Sequence, residues 1–297
     1  MIETKLVIPN FFLVGAPKCG TTSLSLYLEE HPEVFVSDPK EPHFFSNDIN
    51  NGGIKDLSGY LDCFKGAHGG CRTIGDTSTL YLYSKTAIQN IIKFNPKSRF
   101  IVMLRNPLEI AFSFHQLALK KFGETETDFE KAWDLQLERK QGNQIPKWCP
   151  DPTLLLYGDI AMLGSQVERL LDRVERKKVY FIIFDNLIKD TKTEYKKVLN
   201  FLSIDSNHYP DFIIYNKTQR IKYPSLFKRL FQFIWLKNKL GINKSFGIGK
   251  ILMKYNIVDS LPPSINGKMR NRLSGFYKKD IELLSELINK DFSKWLL

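Results

Sequence analysis

The chain has 297 residues and a net charge of +11; 43% of its residues are hydrophobic and 25% are charged. This length allows a substantial core, and the composition, without low-complexity tracts or a repeat of fixed period, excludes a disordered or solenoid protein. Pro9 and Asn10 break the N-terminal apolar run, and no window holds the roughly 18 apolar residues of a membrane span. We therefore expect a cytoplasmic protein without a signal peptide.

Short apolar runs rich in Val, Ile and Phe alternate with longer segments of helical spacing. This alternation is typical of βαβ units, in which helices cover both faces of a parallel sheet. We predict one α/β domain over residues 1–297 with a central parallel sheet flanked by helices. The predicted strands are residues 11–15, 72–76, 99–105 and 178–185, and the predicted helices are residues 21–31, 84–94, 107–122 and 163–174, with two more within 266–296.

The first predicted strand leads into a loop with phosphate-binding spacing. Gly15 is followed by four residues, then by Gly20, a threonine pair and a helix, a layout in which N–H groups at a helix start surround a phosphate. In nucleotide hydrolases a lysine directly follows the second glycine. Here Thr21 has that position and Lys18 lies inside the loop, so the loop departs from the hydrolase pattern.

A later strand ends in a cation. Magnesium-dependent hydrolases hold the metal with an acidic residue at the end of another strand, but "RFIVMLR" ends in Arg105. A cation at a strand end favours a second anion and not a metal. Together, the two strand ends predict a site for a nucleotide with two separated phosphate groups, bound without Mg²⁺.

Two segments, "VGAPKCGTTSLSLYLEEHP" and "RFIVMLRNPLEIAFSFH", resemble the cofactor motifs of sulfotransferases that use 3′-phosphoadenosine 5′-phosphosulfate (PAPS). The similarity is greatest to the branch of bacterial and heparan-sulfate-modifying sulfotransferases, which "EPHFF", "YNKT" and the C-terminal "FYKKDIELLSELINKDFSKWL" also match. It covers most of the chain and is weakest over residues 120–160 and 220–260. The resemblance implies a P-loop-like sulfotransferase fold, PAPS as cofactor, 3′,5′-adenosine bisphosphate (PAP) as product, and no metal.

The resemblance also implies two anion sites. Arg105 and Ser113 are expected to bind the 3′-phosphate, and their spacing of about two helical turns allows them to converge on one anion. Arg220 and Lys222 are further expected contacts of that phosphate. Alternatives are a loop that is only a tight turn and a Ser113 bonded to its own backbone. The residues expected to bind the 5′-phosphosulfate are Lys18, Cys19, Gly20, Thr21 and Thr22.

The transfer step needs a base for the acceptor's proton and a cation at the leaving group. Lys18 can serve the leaving group. "DPKEPHFFS" puts Glu41 and His43 two residues apart, on one side of an extended segment. Because the resembling branch uses a glutamate here as the base, with the histidine lining the same site, we predict Glu41 as the base and His43 as an assisting residue. The alternative is that Glu41 is a solvated charge in a loop and that His43 only packs against its neighbours.

One position departs from the heparan-modifying members. They carry a lysine in a strand-end motif before Thr-Pro, whereas "GDTSTLYL" puts Asp76 there. As a substrate contact, this carboxylate would repel a polyanionic sugar chain, tolerate a neutral hydroxyl or favour an amine. The alternative is a structural role in which Asp76 caps a turn before Thr77 and Ser78.

Nearly all of the excess positive charge lies between Lys217 and Tyr255, where no Asp or Glu occurs. Lysines alternate there with Phe, Leu, Ile and Trp235, the pattern of a basic amphipathic helix. Three interpretations stay open: a lid inserted at about 217–256, peripheral membrane contact through 222–256 toward a lipid-linked acceptor, or a solvated face. Nucleic acid is not expected as a partner, because no recognised binding motif accompanies the charge.

The four cysteines lack CxxC spacing and are too few for a disulfide framework. Reduced thiols are expected, with a bridge between Cys63 and Cys71 as an alternative in an oxidising compartment.

We therefore predict a sulfotransferase that moves a sulfuryl group from PAPS to a hydroxyl or amine acceptor, such as a carbohydrate, a glycolipid or a small metabolite, by in-line attack. The alternatives are a Mg-dependent nucleotide kinase or hydrolase, and a non-catalytic protein that binds anionic glycans or membranes.

Overall fold

The computed structural model describes residues 7–67, 69–213, 219–221, 229, 257–259 and 265–297. In these residues, one five-stranded sheet has only parallel strand pairs, which confirms the predicted α/β architecture. The strand order is β2-β3-β1-β4-β5. The strands are β1 (Phe11–Gly15), β2 (Val34–Val36), β3 (Thr73–Asp76), β4 (Arg99–Leu104) and β5 (Val179–Ile183).

Helices connect the strands and complete the chain. In the described part of the chain, short 3₁₀ turns cover Pro152–Leu155, Arg176–Lys178 and Ser293–Leu296, and an antiparallel pair joins β6 (Gln219–Ile221) to β7 (Ile257–Asp259). The α-helices whose bounds lie within the described residues are α1 (Thr21–Glu29), α2 (Leu57–Asp62), α3 (Ala87–Phe94), α4 (Pro107–Lys121), α5 (Phe129–Asp134), α6 (Gln136–Lys140), α7 (Tyr157–Ile160), α8 (Leu163–Leu171), α9 (Phe184–Lys189), α10 (Thr191–Leu202) and α11 (Gly267–Ile288).

The predicted strands agree with the sheet, with two differences. β1 and β4 are buried along nearly their whole length, as expected for continuous apolar runs in a parallel sheet covered on both faces. The prediction omitted β2, because a three-residue strand leaves almost no periodic signal. The strand predicted over 178–185 ends at Ile183, since the chain turns into α9 at Phe184.

The prediction of two helices within 266–296 is wrong. A single 22-residue helix, α11, is followed by one 3₁₀ turn. Gly275 lies in the middle of the helix, where a glycine costs about 1 kcal/mol relative to alanine. The helix continues through it because one buried stripe extends along its length at intervals of three or four residues: Met269, Leu273, Tyr277, Ile281, Leu284 and Ile288.

The strand order reverses direction between β1 and β4. From β1 the chain builds β2 and β3 on one side of the sheet, and then crosses to add β4 and β5 on the other. At such a switch point the loops that follow the two central strands diverge and leave a crevice beyond their carboxyl ends, where ligands bind in open α/β sheets. From this topology, we expect a ligand to bind at the residues that follow Gly15 and Leu104.

The described residues cluster into two compact units. The first draws on residues 1–110, 160–215 and 274–297 and contains the five-stranded sheet; the second draws on residues 111–159 and 216–273. The single domain stays a prediction, and most of the basic segment 217–256 lies outside the described residues. Across the residues described, no helix is both long and apolar enough to cross a membrane. All four cysteines are free.

Candidate active site

Two glycines shape the loop that follows β1. Gly15 has a φ of 145°, and a Cβ there would lie 2.7 Å from the carbonyl oxygen of Thr79. Gly20 has a φ of 82°, and its Cβ would lie 2.8 Å from the ring of Phe184. Only glycine meets both the backbone and the space requirement at these positions. Lys18, between them, also has a left-handed backbone, with a φ of 67°.

The loop ends at the N-terminus of α1. The Gly20 carbonyl accepts the N–H groups of Ser23 and Leu24 at 3.0 and 3.2 Å, and Gly20 offers no side chain to cap the helix. The first N–H groups of a helix have no carbonyl partner within it, and they carry the positive end of the helix dipole. The loop and the first turn of α1, with Thr21 and Thr22, thus present donors suited to an anion.

Cys19 lies in the loop but offers no side chain to a ligand. It is fully buried, and its thiol donates to the carbonyl of Pro17 at 3.6 Å. Burial raises the pKa of this thiol to about 12, although the charges of Arg105 and Lys18 act in the opposite direction. A cofactor contact by Cys19, as predicted, is therefore limited to its backbone.

Arg105 follows β4 and lies against the phosphate loop. Its Nη1 donates to the carbonyl oxygen of Lys18 at 3.0 Å. Its Nε and Nη2 contact a carboxylate oxygen of Glu109, one helical turn later, at 2.8 and 2.6 Å. The guanidinium carbon stands 4.5 Å from the ring centre of Phe184. The structure thus brings the strand-end arginine to the loop; its contact with a 3′-phosphate stays a prediction.

Ser113 and Arg220 belong to the second unit. Ser113 is a half-buried residue of α4, and Arg220 lies in β6. Lys222 lies outside the described residues. That these residues converge with Arg105 on one phosphate stays a prediction.

Glu41 and His43 lie side by side after β2. The distance between a Glu41 carboxylate oxygen and His43 Nε2 is 3.7 Å, and the side chains are 31% and 10% exposed. The other Glu41 oxygen accepts from the Thr79 hydroxyl at 3.1 Å. His43 Nδ1 is buried, with no hydrogen-bond partner within the described part of the chain.

The backbone around Glu41 and His43 is not extended, which corrects the prediction. Both residues are left-handed, with φ values of 59° and 52°, a conformation that is costly for residues with a side chain and that clusters at functional sites. Residues that follow β3 hold the segment: the His43 N–H donates to the Ser78 hydroxyl at 2.9 Å, and the Phe45 N–H donates to the Tyr81 hydroxyl at 3.3 Å. With this left-handed backbone, the side chains of Glu41 and His43 lie next to each other.

Asp76, at the end of β3, is fully buried. Its carboxylate accepts from the hydroxyls of Tyr60 at 3.0 Å and Tyr81 at 2.8 Å, and from the N–H and hydroxyl of Ser78 at 3.0 and 2.6 Å. Burial raises the pKa of Asp76, while these hydrogen bonds oppose the rise. The contacts match the alternative in which Asp76 holds a turn; its role toward a substrate stays a prediction.

Three residues at this edge of the sheet were not among the predicted site residues. Lys40 donates to the Thr22 hydroxyl at 3.0 Å, Glu109 binds Arg105, and Phe184 packs between Gly20 and Arg105. Lys40 directly precedes Glu41 in a motif already singled out, and this adjacency was the available signal. Glu109 and Phe184 have no comparable signal, because their roles depend on the turn of α4 and on the position of β5.

The donor set in the first unit fits a bisphosphate nucleotide such as PAPS. The loop has the left-handed glycines and the helix N-terminus of an anion site, Lys18 and Lys40 are cations of this region, and Arg105 adds a guanidinium beside the loop. Within the described ranges, no three His, Cys, Asp or Glu side chains are grouped to hold a metal ion.

Comparison with known proteins identifies related folds. The sulfotransferase from Alicyclobacillus acidocaldarius, known from its crystal structure, is 26% identical and superposes with a TM-score of 0.72, over 97% of this chain and 99% of that chain. The mouse sulfotransferase SULT7A1, crystallised with PAP, has a similar fold at 15% identity, with a TM-score of 0.50 over 95% of this chain and 87% of that chain.

Curated relatives are longer than this chain. Human heparan sulfate glucosamine 3-O-sulfotransferase 3B1 is 24% identical over 272 residues, 91% of this chain and 61% of the relative. Human carbohydrate sulfotransferase 15 is 31% identical over 148 residues, 36% of this chain and 26% of the relative. The chain thus spans less than two thirds of either relative. A family model described as a sulfotransferase domain matches residues 9–227. Since this match exceeds half of the chain, the protein belongs to the sulfotransferase family.

Proposed function

We propose that this protein transfers a sulfuryl group from PAPS to an acceptor hydroxyl, with Glu41 as the general base. The observation that carries the proposal is the 3.0 Å hydrogen bond from Arg105 to the carbonyl of Lys18. It joins the phosphate loop to the cation after β4, which supports a pair of neighbouring anion sites at the switch point of the sheet. A nucleotide with separate 3′- and 5′-phosphate groups matches this pair.

PAPS, when bound, supplies the sulfuryl group together with a 5′-phosphate that leaves. Glu41 takes the proton of the acceptor hydroxyl while the acceptor oxygen bonds to sulfur. Lys18 and the first N–H groups of α1 stabilise the 5′-phosphate, which keeps the electron pair of the broken S–O bond. His43, 3.7 Å from the Glu41 carboxylate, orients that carboxylate. Arg105 holds the 3′-phosphate and, through the Lys18 carbonyl, the loop.

The acceptor in this proposal is a carbohydrate hydroxyl. The names of the longer relatives, a heparan sulfate glucosamine sulfotransferase and a carbohydrate sulfotransferase, support this class. The buried position of Asp76 removes an objection to it, since a carboxylate with no exposed surface, held by two tyrosines, does not confront an anionic sugar. A screen of carbohydrate, lipid, peptide and amine acceptors with ³⁵S-labelled PAPS tests the class.

A thermal-shift comparison tests the cofactor. Without metal, PAP at 100 times its Kd should stabilise the protein by about 2.7 kcal/mol, a rise in Tm on the order of 5 °C. ATP with Mg²⁺ should raise the Tm less. Stabilisation by ATP with Mg²⁺ alone would contradict the proposal and favour a nucleotide kinase or hydrolase.

The variant Glu41→Gln tests the base. It should lower turnover by about 10²- to 10⁴-fold and leave the Kd for PAP unchanged, because the carboxylate acts on the acceptor and not on the cofactor. Glu282→Gln, an exposed residue of α11, is the matched control and should behave as the wild type. An unchanged rate in Glu41→Gln would remove Glu41 as the base.

A further inference from the structure

The ammonium of Lys40 reaches the first turn of α1 from a different part of the chain. Its Nζ donates to the Thr22 hydroxyl at 3.0 Å. Thr22 is the second residue of α1, directly after the phosphate loop. Lys40 itself follows β2 and precedes Glu41, so its contact with Thr22 joins the segment of the proposed base to the loop.

The Lys40 ammonium and the start of α1 bring positive charge to the same place. The N-terminus of a helix carries the positive end of the helix dipole, and a lysine near it is destabilising by the same rule that makes an aspartate stabilising there. No Asp or Glu lies in the first turn of α1. A negatively charged ligand placed between the Lys40 ammonium and the start of α1 would be attracted by both.

The contact between Lys40 and Thr22 also supplies the lysine that the loop lacks after Gly20, compared with the nucleotide hydrolase pattern. In those enzymes the lysine after the second glycine reaches the terminal phosphates from within the loop. Here Thr21 has that position, while the fold delivers a lysine to the adjacent Thr22 from the segment after β2. A second cation is thereby present at the start of α1 without being encoded in the loop.

We propose that Lys40 binds the 5′-phosphate group of the cofactor, as a contact additional to the loop lysine Lys18. The inference rests on the proposed function, because it takes PAPS and its product PAP as ligands. Lys40 contributes its full charge and ammonium donors to an oxygen of the 5′-phosphate next to the Thr22 hydroxyl. Its effect is confined to ligands that carry a 5′-phosphate.

Three nucleotides and one pair of variants separate this role from a structural one. Isothermal titration calorimetry measures the binding of PAP, adenosine 5′-phosphate and adenosine 3′-phosphate to the wild type, to Lys40→Met and to Lys65→Met. Lys65 is the matched control, a lysine with a 73% exposed side chain paired with Asp62 at 2.6 Å. Melting of each protein without ligand reports on folding.

Loss of one charge-assisted hydrogen bond weakens binding by roughly 10- to 100-fold. Lys40→Met should weaken PAP and adenosine 5′-phosphate by this factor and leave adenosine 3′-phosphate within twofold of the wild type. Lys65→Met should change none of the three. Lys40→Arg, which keeps the charge, should recover most of the affinity for PAP, and Lys40→Gln takes the place of Lys40→Met should the latter not fold.

Two results would overturn the role of Lys40. One is a Kd of Lys40→Met for PAP within twofold of the wild type, and the other is an equal weakening of all three nucleotides, which would mean that Lys40 acts through the fold. Both leave the proposed function standing. A wild type that binds none of the three nucleotides contradicts the proposed function itself.

Discussion

The replacement Asp76→Ala should destabilise the protein strongly. The carboxylate of Asp76 is the acceptor for three hydroxyls and one backbone N–H, from Tyr60, Tyr81 and Ser78, and both tyrosines are fully buried. Alanine leaves these donors without an acceptor, and each unsatisfied buried group costs about 1–3 kcal/mol. Because removal of the carboxylate also relieves its own desolvation, we expect a net loss of about 3 kcal/mol.

Urea denaturation followed by circular dichroism measures this loss. A decrease of about 3 kcal/mol is a large share of the 5–15 kcal/mol that is typical of a folded protein, and it should move the midpoint by roughly 1 M urea. Asp62→Ala is the control, because Asp62 is half exposed and pairs only at the surface with Lys65. A loss in Asp76→Ala within about 0.5 kcal/mol of that control would refute the reasoning.

The pH dependence of Asp76→Asn gives an independent check. Burial raises the pKa of Asp76 above its ordinary value, so between the two values the folded protein binds more protons than the unfolded chain. Stability from this group therefore falls as pH rises through that window, which starts at roughly pH 4. The wild type should gain stability relative to Asp76→Asn as pH falls through the window, and a constant difference would contradict the assignment.

Two further predictions concern other buried groups. Glu124→Gln leaves the 1% exposed Arg139 without its carboxylate partner at 2.6 Å and should cost about 3–5 kcal/mol in urea denaturation. Burial alone would raise the pKa of Glu124, but hydrogen bonds from Arg139 and Tyr157 outweigh burial and lower that pKa. The stability that the Glu124 carboxylate contributes is therefore lost as pH falls below the ordinary glutamate pKa. A loss of less than 1 kcal/mol in Glu124→Gln would contradict the role of this ion pair. Because burial raises the pKa of Cys19 to about 12, iodoacetamide at pH 8 should leave Cys19 unmodified in the native protein while Cys71 reacts, as read by mass spectrometry. Equal alkylation of both would be the contrary outcome.

The sheet was predictable because its strands are apolar runs buried on both faces. β1, β3 and β4 lie where the sequence puts them, to within one residue, since a run such as "FFLVG" followed by glycine signals strand and loop at once. The C-terminal helix was not predictable as one element. Its length depends on a continuous buried stripe whose stabilisation outweighs the cost of Gly275 within the helix. A sequence pattern does not show which of these two free energies is larger.

The site was predictable where its residues adjoin a motif. Lys18, Arg105 and Glu41 each lie in a recognisable segment, and in the first unit the structure brings Arg105 to the loop and His43 to Glu41. The contact of Lys40 with Thr22 could not be predicted, because it joins two segments whose proximity depends on the paths of β2 and α1. The left-handed backbone at Glu41 and His43 could not be predicted either, because the hydrogen bonds that hold this segment join it to residues after β3, such as Ser78.

The middle position of β1 has a consequence for how the protein is made. Phe11 pairs with Gly75 on one side and with Arg99 on the other, so β1 has no complete set of neighbours until β4, later in the chain, has left the ribosome. Contacts between residues so far apart in the sequence form slowly. An apolar strand that has not yet paired with its neighbour is prone to aggregation. Nascent chains that end before β4 should therefore depend on chaperones, and the yield of soluble protein should respond to the rate of translation between β1 and β4.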